Sequence, residues 1–181
     1  MASPYFTLLV EDRAHGLFVY RLLLHWGVAR QRIRAVPYPD GKGSGEQHVR
    51  VSFPGNLAAH RHSAARRCLV VVTDADQVEV TRRRQHLLEQ LAASGVAPPQ
   101  GDEAVMLIPK RHIEAWLHFV ETGQADELNR FDSVYEEVVA DVCKAAPPKL
   151  DAWLAVEPPA GPPSLLAARG AFMGLRRMAR S

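Results

Sequence analysis

The chain has 181 residues, 47% of them hydrophobic, and its 22 basic and 20 acidic side chains give a formal net charge of +2. This composition predicts a globular protein with its own core. It excludes a disordered acidic tail and a histone-like protein that binds nucleic acid by bulk charge alone. The apolar runs are much shorter than the ~20 residues of a membrane helix, and the N-terminus lacks the pattern of a signal peptide. Two cysteines, Cys68 and Cys143, form no metal motif and are expected to be reduced, buried thiols in a cytoplasmic protein.

Four segments of the chain are predicted to be strands. Residues 7–10, 68–73 and 104–108 are short apolar runs bounded by polar residues, which is typical of strands buried on both faces. Residues 33–38 form a weaker strand because they contain Pro37.

Helices are predicted between these strands from apolar spacings of three and four residues. Residues 45–51 are ambiguous, and Asn56 is expected to cap a helix that runs to about Arg67. Pro147 and Pro148 are expected to break the helical C-terminal part, and Ser164 to cap its last helix. The remaining helices are predicted over residues 18–26, 78–94, 111–120, 133–144 and 165–178.

The alternation of strand and helix predicts an α/β fold with a three-layer, mostly parallel sheet. Residues 1–122 are expected to form this α/β domain, and residues 123–181 a helical C-terminal extension packed on it. In such sheets ligands bind at the carboxyl ends of the strands.

Acidic side chains follow two of the predicted strands. Glu11 ends the first strand, and Asp74 and Asp76 follow the third. Three carboxylates that meet at one edge of a sheet favour a hard cation such as Mg²⁺ or Mn²⁺. Such an ion assists phosphoryl transfer by polarising phosphate and activating water. The alternative is that each acid caps a helix or forms a turn, Asp76 for the helix near residue 78 and Glu11 with Asp12 for the helix after them.

Basic groups follow the Ala104 strand. Lys110, Arg111 and His112 lie where a helix begins, a position that favours anions, so they are candidates to bind a phosphate. A solvated basic turn is the alternative. Glu114 is either a further metal ligand or the partner of His118 in a surface ion pair.

A glycine-rich loop, residues 41–45, is a second candidate for phosphate binding, through its backbone N–H groups and Lys42. If it folds over the strand ends, Glu46 becomes another carboxylate near the metal. A flexible loop is the alternative. The basic segment from His60 to Arg67 is either a solvated face or a contact for a nucleic-acid backbone.

The sequence Leu8-Leu9-Val10-Glu11, followed later by Val70-Val71-Val72-Thr73-Asp74-Ala75-Asp76, resembles the TOPRIM fold. Residues 43–47 and 108–117 resemble small bacterial TOPRIM-like proteins. The resemblance, over roughly residues 5–120, extends to the TOPRIM part of OLD-family nucleases. It implies that Glu11 is a general acid/base or metal ligand and that Asp74 and Asp76 are metal ligands. The chain departs from the pattern at Asp12, where the family has glycine.

The expected function is therefore divalent-metal-dependent phosphodiester hydrolysis on DNA or RNA, with Glu11, Asp74, Asp76 and Lys110 as catalytic residues. Lys42, Arg111 and His112 would bind the substrate. One alternative is a nucleic-acid-binding or regulatory module that has lost its chemistry, and another is a phosphohydrolase or nucleotidyl transferase for small molecules. The resemblance also implies a partner such as an ATPase, since TOPRIM domains often work beside one.

Overall fold

A computed structural model describes residues 4–37, 44–157 and 159–181. Within them a parallel sheet has the strand order β2-β1-β3-β4. The strands are β1 (Tyr5–Val10), β2 (Ile33–Ala35), β3 (Arg67–Val72) and β4 (Ala104–Leu107). The α-helices are α1 (Arg13–His25), α2 (Gly45–Arg61), α3 (Val80–Ala93), α4 (Ile113–Thr122), α5 (Asp132–Tyr135), α6 (Val139–Leu154) and α7 (Pro163–Ala179). The predicted α/β class and parallel sheet are confirmed.

The two faces of the sheet carry different helices because side chains alternate along each strand. Phe6, Leu8 and Val10 of β1 face a core that contains residues of α1, α4, α6 and α7. Leu9 faces the opposite core, beneath α2 and α3. Each buried Leu or Phe stabilises the fold by about 1.5–3 kcal/mol relative to exposure, so these cores fix the position of the strand ends.

The C-terminal helices form part of the first core. Phe172 of α7 makes edge contacts with Phe18 of α1 and Trp116 of α4, at ring-centroid distances of 6.2 and 5.6 Å. Cys143 on α6 is fully buried in the same cluster. Residues 123–181 therefore share a core with the α/β part.

The predicted break at Pro147 and Pro148 is wrong, because α6 continues through both prolines. Ala146, Leu150 and Leu154 are buried in the core. Tertiary packing of this apolar face outweighs the helix penalty of proline.

Two expected helix caps are also wrong. Asn56 lies inside α2, where its amide donates to the backbone oxygen of Ser52. The cap of α2 is Ser44, whose hydroxyl accepts from the Gln47 amide. Ser164 lies within the first turn of α7, after Pro163, and its side chain bonds to other elements.

None of the helices in the described residues has the length and hydropathy that a membrane-crossing helix needs. Cys68 and Cys143 are both free and buried, as expected.

Candidate active site

A cleft of about 250 Å³ lies at the carboxyl ends of β1, β3 and β4. This edge gathers the ends of strands that are adjacent in the sheet, as the parallel topology requires. The cleft is lined by Asp12, Asp74, Asp76, Gln77, Arg111, His112, Glu114 and Arg130.

His15 lies at the base of this site between two carboxylates. Its Nε2 is 2.9 Å from Oδ1 of Asp74, and its Nδ1 is 2.8 Å from Oδ1 of Asp12. The His15 side chain is fully buried, whereas that of Asp12 is 50% exposed. The contact of Nε2 has the geometry of a hydrogen bond, whereas that of Nδ1 is an ion pair without it, so a charged imidazolium pairs best with both carboxylates.

The charges of these three groups shift one another's pKa. Burial alone would lower the pKa of His15, but the negative charges of Asp74 and Asp12 outweigh it and raise that pKa well above its ordinary value. Burial raises the pKa of Asp74 to about 6, against the opposing effect of His15. Burial would also raise the pKa of Asp12, but its bonds to His15 hold it below the usual value.

Asp12 begins α1 and so has a second role. Its side chain is the N-cap of the helix and accepts from the backbone amide of His15 at 2.9 Å. One helix turn then carries His15 towards the sheet. The local sequence thus fixes both Asp12 and His15 against the end of β3.

Glu11 holds the turn after β3. Its Oε2 accepts from the hydroxyl of Thr73 at 2.7 Å and from the backbone amide of Asp74 at 2.9 Å. Glu11 is not among the residues that line the cleft, but its charge contributes to the raised pKa of Asp74. It therefore orients Asp74 from beside the cleft.

Asp76 follows in a left-handed conformation, with φ +54°. This conformation is uncommon for a residue with a side chain, though aspartate tolerates it better than most, and it often marks functional sites. The Asp76 carboxylate is 3.7 Å from the largely buried guanidinium of Arg83. That guanidinium also pairs with Glu46 at 2.8 Å, and Glu46 lines a separate pocket between α2 and α3.

The basic groups after β4 divide between two environments. Arg111 and His112 line the cleft. Lys110 does not, because its Nζ donates to Glu79 at 2.7 Å and to the Val78 carbonyl at 2.9 Å.

Glu114 also lines the cleft, 3.5 Å from Nδ1 of His112. His118 is directed elsewhere and stacks on Phe131, with ring centroids 4.2 Å apart. The suggested Glu114–His118 ion pair is therefore not formed between these described residues.

The start of α2 lies against Glu11. A Cβ atom on Gly45 would overlap the carbonyl oxygen and Cγ of Glu11, so only glycine fits there. The last residue of the glycine-rich loop thus approaches the strand ends, while Lys42 lies outside the described residues.

A buried network supports the wall of the cleft behind Arg111. The Ser164 hydroxyl accepts from Nε1 of Trp116 at 2.7 Å and from the amide of Lys110 at 3.2 Å, and it bonds to Glu127. Glu127 also accepts from the amide of Ser164 at 3.0 Å. The segment after α4 is thereby fixed to α7 and β4.

Sequence reasoning missed Asp12, His15 and Arg130 as members of the site. A signal for His15 was present, since a histidine three and four residues before Phe18 and Val19 lies on the apolar face of α1. Together Asp12, His15 and Asp74 offer ligand atoms within 4.8 Å of one another. Nothing in the sequence near Arg130 indicated that it reaches the cleft.

Comparison of the chain with protein-family models, with curated proteins and with solved structures gave no match.

Proposed function

We propose that the strand-end cleft is the active site of a divalent-metal-dependent phosphodiesterase acting on nucleic acid, in the manner of a TOPRIM domain. The observation that carries the proposal is the meeting of Asp12, Asp74 and Asp76 with Arg111 in one cleft. Carboxylates favour a cation, and an arginine beside them favours phosphate, so the cleft suits a substrate that needs both.

The donor set fits Mg²⁺ or Mn²⁺. Its carboxylate oxygens, from Asp12, Asp74 and Asp76, are the hard ligands that these ions prefer, and no thiolate is among the described residues that line the cleft. A bound cation would be held by Asp74 with Asp12 or Asp76. It would supply an activated water and stabilise negative charge on the phosphate.

The residues of the chain have distinct tasks in this proposal. Glu11 holds Asp74 in position by accepting a hydrogen bond from the Asp74 backbone amide. His15 positions the carboxylates of both Asp74 and Asp12. Arg111 binds and orients the phosphate, since a guanidinium matches phosphate oxygens bidentately. Lys110, bonded to Glu79, acts on the cleft only by bracing the start of α3.

The test is cleavage of an oligonucleotide by the double variant Asp74→Asn/Asp76→Asn. Cleavage is expected to fall to background, because neutral amides bind Mg²⁺ far more weakly than carboxylates. The matched control is Asp102→Asn, an exposed aspartate paired with Arg66 at 3.2 Å, which is expected to keep full activity. Metal-dependent cleavage that survives the double substitution overturns the proposal.

One observation favours a second candidate, a nucleic-acid-binding module without chemistry. His15 already supplies a buried positive charge between Asp12 and Asp74. In this alternative the imidazolium takes the role of the cation. Calorimetric titration with Mn²⁺ separates the two, since the phosphodiesterase binds the ion and the module does not bind it at millimolar concentration.

A further inference from the structure

A second pocket, of about 400 Å³, lies on the α2 face of the sheet beside the edge strand β2. We call it the β2-edge pocket. Its lining includes two arginines and one histidine, and no acidic side chain is among the described residues that line it. Its polar lining residues are Thr7, Arg34, Asn56, His60, Ser63 and Arg67.

The strand register brings the two arginines together. Arg34 lies opposite Thr7 in the β1–β2 pair, and Arg67 lies opposite Tyr5 in the β1–β3 pair. Residues paired across parallel strands face the same side, so both arginines share a face with the odd-numbered residues of β1. Near the end of α2, His60 joins them through a 2.9 Å bond between its Nε2 and the Thr7 hydroxyl.

The two arginines of the pocket differ from their neighbours in their pairing with acids. No carboxylate of the described residues pairs with Arg34 or Arg67. By contrast, the neighbouring Arg61 and Arg66 pair with Glu103 at 2.7 Å and Asp102 at 3.2 Å. Pairing with acids therefore accounts for Arg61 and Arg66 but not for Arg34 and Arg67.

The Arg67 side chain is nevertheless held in place. Its Nε donates to the Ser63 hydroxyl at 2.7 Å, and its guanidinium lies over the Tyr5 ring, 5.6 Å from the centroid. Arg32 lies over the same ring at 4.8 Å. Tyr5 is 39% exposed, so this edge presents an aromatic ring among guanidinium groups, the combination that binds single-stranded nucleic acid.

We propose that the β2-edge pocket binds a backbone phosphate of the nucleic-acid strand, with Arg34 and Arg67 as its ligands. The choice of nucleic acid as the source of the phosphate rests on the proposed function. Thr7 of the pocket lies on β1, four residues before Glu11, so about 13 Å of extended backbone separates the two residues.

The experiment measures binding of a single-stranded DNA oligonucleotide in EDTA, so that no metal and no cleavage enter. The Arg34→Gln/Arg67→Gln variant is expected to bind at least about tenfold more weakly, since a charged hydrogen bond is lost at each site. The slope of log K against log salt should also fall by about 1.4, or ~0.7 for each lost phosphate contact. Arg82→Gln, which removes an exposed arginine of α3 paired with Glu89, serves as the control and is expected to change neither quantity beyond the effect of its charge.

A conservative variant separates charge from fold. Arg34→Lys/Arg67→Lys keeps the charge and should recover the salt slope but not the full affinity. Oligonucleotide binding that is unchanged in the glutamine variant overturns the proposal. It is also overturned if inorganic phosphate binds at the pocket with the same affinity as the oligonucleotide, because the source is then free phosphate.

Failure of this inference is distinguishable from failure of the proposed function. If the pocket binds no strand but the cleft is catalytic, the glutamine variant cleaves at the unaltered rate. If the cleft has no chemistry but the pocket binds, oligonucleotide affinity depends on Arg34 and Arg67 while no metal-dependent cleavage occurs.

Discussion

The strand-end cleft and the β2-edge pocket hold their charges in opposite ways. In the cleft, His15 is fully buried between two acids, and Asp76 sits in a left-handed backbone conformation. In the β2-edge pocket, Arg34 is exposed, and the half-buried Arg67 is held by contacts with Ser63 and Tyr5. Buried, mutually dependent charges hold a fixed geometry at a high energetic cost, whereas exposed charges add attraction at little cost to the fold. Fixed geometry suits chemistry, and exposed charge suits binding.

The largest expected effect is that of His15→Gln, which leaves two carboxylates without their buried counter-charge. Removing one member of a buried pair should lower the free energy of unfolding by about 3 kcal/mol near pH 6, measured by urea denaturation. The control is His25→Gln, because His25 also pairs with an aspartate, Asp151 at 3.2 Å, but is 35% exposed. This change should cost less than about 1 kcal/mol.

The His15 effect should depend on pH with a definite sign. Because the pKa of His15 is raised in the folded state, its charge stabilises the fold fully below about pH 6.5. That contribution is lost as the pH rises through the raised pKa. The loss of stability in His15→Gln should thus shrink towards pH 9.5, and a difference that grows with pH would mean that His15 is buried neutral.

Gly45→Ala should give the next largest effect. The new methyl group would overlap the Glu11 backbone, so either α2 or the end of β1 must shift. We expect a loss of about 2 kcal/mol in the free energy of unfolding, within the range for overpacked sites. Gly55→Ala in the same helix meets nothing within 4 Å and should instead be neutral or stabilising, by up to ~1 kcal/mol. Equal effects at the two glycines would remove the argument that α2 is docked on Glu11.

These positions also show what the sequence could predict. The buried strands before Glu11 and Asp74 follow from short apolar runs, and their shared sheet edge follows from parallel topology. The sequence left open whether the acids after β1 cap the next helix, and the structure shows that Asp12 is the N-cap of α1. Local patterns of this kind depend on a few neighbouring residues.

The failures have a different physical origin, since they depend on distant contacts. The α6 prolines remain helical because the core holds that helix. Lys110 turns to Glu79, 31 residues away in sequence, and Arg130 reaches the cleft from a segment fixed by Glu127 and Ser164. No local spacing encodes these pairings.

The affinity of the cleft for a metal ion should fall gradually in acid, an effect smaller than those of the substitutions above. Burial raises the pKa of Asp74 to about 6, and the metal competes with the proton for this carboxylate. The Mn²⁺ affinity, measured by calorimetry, should therefore rise by about tenfold between pH 5 and 7, about half of that factor below pH 6, and level off above pH 7. An affinity that is constant from pH 5 to 8 would show that Asp74 is not a ligand.

The smallest expected effect, that of substituting Arg34 and Arg67, tests the contrast between the cleft and the β2-edge pocket most directly. If the β2-edge pocket exists for binding alone, Arg34→Gln/Arg67→Gln should lower the free energy of unfolding by less than ~0.5 kcal/mol at the exposed Arg34 and by about 1 kcal/mol at Arg67, which loses its bond to Ser63. The same urea measurement that detects His15→Gln is sensitive enough to check this. A loss of several kcal/mol would mean that Arg67 holds this edge of the sheet together through Tyr5 and Ser63. Packing of Arg67 on the Tyr5 ring would then explain why no carboxylate of the described residues pairs with it, without any role in phosphate binding, and the contrast between the cleft and the pocket would fail.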